Sequence, residues 1–185
     1  MIARLSKRMA FFVRNDVIKS EDEEVYEYGL QLLLSTVFNG IIALILAIIS
    51  GTALQCVCYL AVFVLLRKSA GGFHAKTHFG CCCILSVVLS LFIIFIKFVP
   101  NEVYGIVAAI AAAVSVVIIL MLAPLEHENK PISDKDKSRL RKISIIYAIL
   151  FALLVFVLFI AKLKMIMICF TLGMFTASGS MLGKH

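Results

Sequence analysis

Tryptophan is absent, proline occurs only 3 times, and Asp, Glu, Lys and Arg together make up 16% of the 185 residues. So little charge excludes a disordered chain, which relies on charge and polarity to stay solvated. It also excludes an ordinary soluble domain: 62% of positions are apolar, and a globule of this length cannot bury that much hydrocarbon. There is no internal repeat and no low-complexity linker. The first residues lack the apolar core and small-residue cleavage site of a signal peptide, so Met1 is expected to be retained.

What is present reads as an all-α integral membrane protein with the bilayer as its solvent. A spanning helix needs about 20 mostly apolar residues. Residues 29–50, 103–123 and 143–161 meet that requirement without a formal charge, and 81–99 carries only Lys97 near its end, where the amine can reach the interface. Residues 52–66 and 165–182 are expected as short, marginal spans, the second loosened by Gly173, Ser178, Gly179 and Ser180. The expectation is about six transmembrane helices in a single membrane domain over 29–185. In residues 1–28, Ile2, Leu5, Met9, Phe12 and Val13 recur near a helical period among Arg4, Lys7, Arg8 and Arg14. That pattern suits an amphipathic helix lying on the lipid surface, followed by an acidic hinge. A basic tail that only sets orientation is the alternative.

The net charge is +7, but the 18 Lys and Arg sit in blocks between apolar runs. A nucleic-acid binder would spread them over one face, so no nucleic-acid partner is expected. With six alternating spans and an inner N-terminus, 15 of the 18 basic residues fall inside, leaving Lys97, Lys162 and Lys164 outside. The positive-inside rule therefore predicts cytoplasmic N- and C-termini. All 6 cysteines, Cys56, Cys58, Cys81, Cys82, Cys83 and Cys169, lie in or at the edge of apolar segments and are expected as free thiols.

Polarity at membrane depth is concentrated in the stretch from Arg67 to Cys81. The Gly71-Gly72 pair permits a sharp turn that would aim His74 toward the bundle; a plain polar loop is the simpler reading. His74 and Cys81 differ by seven residues, which on a helix puts them on one face but about 10 Å apart along the axis. Direct contact requires the chain to bend, which Gly80 allows, and a structural His beside an inert Cys remains open. His78 lies four residues after His74 but has no acidic companion, so no metal or other cofactor is assigned. The spans hold no Asp or Glu, with Glu102 only flanking one, so no third, orienting acid can be named. Asn39 and Ser115 are read as polar groups for helix packing.

The set Arg67, Gly72, His74, Ala75 and Cys81 resembles the signature of the AgrB family, the accessory gene regulator B membrane peptidases of Gram-positive bacteria. Pro124 followed by Asn129-Lys130-Pro131-Ile132 is similar to that family's second motif. The resemblance implies a multi-pass protein of the bacterial cell membrane, active at its cytoplasmic side. It would be a cysteine endopeptidase that removes the C-terminal tail of an AgrD-type pro-peptide and assists thiolactone or lactone ring closure. It also implies a homodimer, Cys81 as nucleophile and His74 as base, with Arg67 and Gly72 at positions needed for full activity. The amphipathic helix of such a substrate lies on membrane lipid, and its acidic tail would be attracted by Lys130, Arg139, Arg141 and Lys142.

The chemistry is consistent on its own terms. A thiol with an ordinary pKa of about 8.5 is mostly protonated at neutral pH, so an imidazole or a guanidinium must raise its thiolate fraction. Attack on the scissile carbonyl leaves a thioester, which keeps the activation needed for a peptide thiol to close a ring. A small polytopic transporter or peptide exporter is the competing expectation, but it would show inverted repeats or several intramembrane charges.

Overall fold

The computed structural model describes residues 23–72, 78–125 and 134–183. The interfacial helix expected near the N-terminus, His74 and Lys130 lie outside the described residues. The described residues form helices only, as the bilayer demands, because inside hydrocarbon each helix satisfies its own backbone donors and acceptors. These helices are α1 (Glu23–Ser50), α2 (Ala53–Ala70), α3 (His78–Phe98), α4 (Tyr104–Leu122), α5 (Asp134–Ile160) and α6 (Lys164–Gly179). The first five are long and apolar enough to cross a membrane. The chain is an all-helical, multi-pass membrane protein.

Two helices differ from their expected extents in informative ways. The segment expected to end at residue 66 continues to Ala70, because Arg67 and Lys68 suit the last turn of a helix, where the dipole favours cations. The last helix has 16 residues, about 24 Å of rise and less than a full crossing. It compensates by position. α6 packs against α2, α4 and α5 at the centre of the bundle, while α1 lies at the edge against α3 and α2. A helix enclosed by protein needs neither a full hydrocarbon length nor an apolar surface, which is why α6 can bury Thr171, Gly173 and Ser178.

Close approach of α6 to α2 depends on Gly173. A Cβ there would stand 2.7 Å from the Tyr59 carbonyl oxygen, so only glycine allows the two backbones to meet. Tyr59 ties three helices together: its hydroxyl donates to Thr176 Oγ1 at 2.9 Å, and its ring stacks on Phe92 of α3 with centroids 4.3 Å apart. Met167, Ile168 and Met174 fill the remaining interior. Buried hydroxyls of Ser115 and Thr171 return to carbonyls one turn earlier, at 2.6 and 2.9 Å, so they cost little at membrane depth. The exposed surface is what a lipid-facing bundle requires, with Leu44, Ile48 and Ile49 on α1 and Leu153, Phe156 and Ile160 on α5 turned outward.

The α1–α2 and α5–α6 connections share one turn. Gly51 N–H bonds to Ile48 O and Thr52 N–H to Ala47 O; Lys162 N–H bonds to Phe159 O and Leu163 N–H to Leu158 O. This is the Schellman closure, with Gly51 at φ 68° and Lys162 at φ 58° as its left-handed residues. Both turns lie at the end of the bundle opposite the Gly71-Gly72 turn.

Candidate active site

α2 ends where its sequence says it must. Gly71 N–H closes on Arg67 O at 3.1 Å, and Gly71 and Gly72 follow with φ of 77° and 135°, conformations that side-chain-bearing residues resist. Their surroundings exclude a Cβ as well. At Gly71 it would lie 2.5 Å from Leu125 O, and at Gly72 2.6 Å from Ser180 Oγ and 2.7 Å from Arg67 Nη1. Leu125 N–H donates to Ala70 O at 2.9 Å, so the chain leaving α4 is bonded to the end of α2. Three helix ends, those of α2, α4 and α6, thus converge on the glycine pair.

Arg67 is the charge in that junction. Its Nη1–H donates to Ser180 Oγ at 2.6 Å, and Ser180 Oγ in turn donates to Ala177 O at 2.6 Å. The guanidinium also lies over the Phe63 ring, 5.8 Å from its centroid. Ser180 was legible in the sequence only as a residue that loosens the last span. Its signal was its place, a hydroxyl just past the end of an apolar helix on the same face as the Arg67 turn.

Cys81 is the fourth residue of α3. Its sulfur accepts from Asn39 Nδ2 of α1 at 3.9 Å and lies within electrostatic reach of Arg67. The guanidinium presents positive potential to that sulfur. Its two neighbours point elsewhere: Cys82 is buried against the bundle, and Cys83 is exposed on the lipid side. Among the described residues, Cys81 is the one of the three consecutive thiols whose sulfur meets a side-chain donor from another helix.

The structure therefore brings Arg67, Gly72 and Cys81 to one end of the bundle. Arg139, Arg141 and Lys142 lie exposed on the first turns of α5. That end of α5 is the same as the end of α4 that abuts the glycine pair. Asn39 is the residue that sequence reasoning assigned to packing alone and that the fold places against the sulfur.

Comparison with known proteins agrees with this arrangement. The family model for accessory gene regulator B matches residues 6–181. The chain is 30% identical over 150 residues to AgrB-like protein 2 of Clostridium perfringens strain 13, covering 77% of this chain and 70% of that one. It is 31% identical over 121 residues to protein FsrB of Enterococcus faecalis, covering 65% of this chain and 50% of that one. An AgrB-like protein of Listeria innocua is 25% identical over 142 residues, covering 75% and 69%. No solved structure matches. The chain belongs to the AgrB family of multi-pass membrane proteins of accessory gene regulation, a quorum-sensing system in which the family acts with an AgrD-type peptide.

Proposed function

We propose that this protein is a membrane cysteine endopeptidase that cuts the C-terminal tail from an AgrD-type pro-peptide and passes the acyl group to an internal thiol or hydroxyl of the peptide. One observation carries the reading. The Cys81 sulfur, in the first turn of α3, meets an amide donor and lies in the field of Arg67, beside the glycine turn that leads to His74. The bundle interior is filled by Tyr59, Met167, Ile168 and Met174, which supports an enzyme over an exporter.

In this reading His74 takes the Cys81 proton, and the sulfur attacks the scissile carbonyl. The adduct collapses to a thioester on Cys81, while the amine of the tail leaves with the proton that His74 returns. A peptide thiol then attacks the thioester, the new ring bond forms, and the Cys81 thiol is released. Holding that thiol close to the acyl carbon and keeping water out favours the ring over a linear acid. Arg139, Arg141 and Lys142, with Lys130, attract the acidic tail. The protein works as a homodimer on the membrane, with the Arg67 end of the bundle facing the cytoplasm, the side that the basic residues favour.

Co-expression with a pro-peptide and mass measurement of the precursor tests this. Cys81→Ala and His74→Ala abolish cleavage, whereas Cys82→Ala and Cys83→Ala retain it. Cleavage by Cys81→Ala at the wild-type level would falsify the nucleophile assignment.

A further inference from the structure

Asn39 of α1 reaches the site through its carboxamide. Along the face that α1 turns to its neighbours, Ser35, Ala43 and Ala47 are buried, with Asn39 in the same four-residue register. Small residues at three of these four positions let the α1 backbone come close to α3, and the fourth position then reaches Cys81. Asn39 Nδ2 donates to Cys81 Sγ at 3.9 Å, while Asn39 Oδ1 is buried with no hydrogen-bond partner among the described residues. A buried acceptor left unmatched is unusual in a packed helix bundle and is tolerated where a ligand completes the set. A packing role explains neither the direction of the amide nor its unmatched oxygen.

We propose that Asn39 is a catalytic residue that supplies the oxyanion donor for the acyl-transfer step. The inference rests on the cysteine-peptidase reading above. When the Cys81 sulfur bonds to the scissile carbon, the carbonyl electron pair moves onto oxygen and creates a negative charge beside the sulfur. A donor that touches the sulfur in the resting protein can stand about 2.7–3.1 Å from that oxygen, the range an oxyanion donor requires. Nδ2 carries two N–H groups, so it can hold the sulfur with one and the oxyanion with the other. When the adduct collapses, the pair returns to the carbonyl, the C–N bond breaks, and the amine leaves with its proton. The same donor serves the second adduct, formed when the peptide thiol attacks the thioester. The substrate's own backbone N–H groups are the donors that Oδ1 lacks.

The test uses the full chain in lipid vesicles with a synthetic pro-peptide, measuring kcat and KM separately for Asn39→Ala, Asn39→Asp, Cys81→Ala and the packing control Ser35→Ala. Asn39→Asp keeps the shape and removes both N–H donors, so it remains informative should the alanine variant fold poorly. Alkylation of Cys81 by a small maleimide, located by peptide mass, reports the fold of the Asn39 and Ser35 variants without substrate. Loss of one side-chain oxyanion donor lowers kcat by about 10²–10³-fold, with KM nearly unchanged. Wild-type kcat in either Asn39 variant overturns the inference, and so does a change confined to KM, which assigns Asn39 to substrate binding. Either result leaves the parent reading intact as long as cleavage still depends on Cys81. Cleavage that persists in Cys81→Ala overturns the parent reading, and the inference with it.

Discussion

The Arg67 guanidinium, in the last turn of α2, donates a 2.6 Å hydrogen bond to Ser180 Oγ, 113 positions later and just past the end of α6. This bond joins the second helix to the last one and fixes the cation beside the glycine turn. An arginine fork held over an aromatic ring and bonded at its tip has little freedom to turn away.

Removing the acceptor therefore affects the site from a distance. Ser180→Ala removes one charge-assisted hydrogen bond of a half-buried guanidinium, at a cost of about 1.5–3 kcal/mol. Thermal unfolding in detergent measures that cost, and precursor cleavage falls in parallel. Arg67→Lys loses more activity than Ser180→Ala, because an ammonium reproduces neither the fork nor the ring contact. Equal unfolding midpoints for wild type and Ser180→Ala would contradict this account.

Gly72→Ala meets two obstacles at once. Its φ of 135° is hostile to a side chain, and the new Cβ would lie 2.6 Å from Ser180 Oγ and 2.7 Å from Arg67 Nη1. The variant loses about 1–3 kcal/mol and at least about tenfold in cleavage. Adding Ser180→Gly relieves one contact but not the backbone strain, so recovery is partial. Gly40→Ala, with nothing within 4 Å, behaves as wild type in both assays.

Lys162 points to a stabilising change. It occupies at φ 58° the left-handed position that Gly51 fills in the equivalent turn between α1 and α2. A left-handed residue with a Cβ costs about 1–2 kcal/mol, so Lys162→Gly raises the unfolding midpoint. Lys162→Ala keeps the strain and leaves the midpoint near wild type. A lower midpoint for the glycine variant would show that the lysine side chain earns its position through a contact of its own.

Orientation is checked by labelling. Asn101 lies exposed in the connection between α3 and α4, and Arg139 lies exposed at the opposite end of the bundle, in the first turns of α5. On intact cells, a maleimide that cannot cross the membrane modifies Asn101→Cys, and it modifies Arg139→Cys only after permeabilisation. The reverse pattern would invert the proposed topology and place the Arg67 end outside.

The four longest apolar runs could be read directly from composition, because in lipid a helix is selected by a local sum of side-chain transfer energies. The last span was harder to judge. Its glycines and hydroxyls lower that sum, and their compensation lies in neighbours that the local sequence does not specify. The same holds at the site. The glycine turn was visible because two adjacent glycines are a local signal, whereas the partners that exclude a Cβ, Leu125 and Ser180, are distant in sequence. Asn39 carried a polarity signal without an address.

The amino-acid sequence by itself determined a lipid-dissolved helical chain, the clustering of its basic residues between apolar runs, and the local pattern of Arg67, Gly72 and Cys81 that marks its family. Each of these depends on hydrophobicity or spacing within one segment. Only the tertiary structure decided that α6 occupies the centre, that Ser180 holds Arg67, and that Asn39 of α1 faces the Cys81 sulfur. Those outcomes depend on which helices become neighbours, and that is set by where small residues such as Gly173, Ala43 and Ala47 let backbones approach.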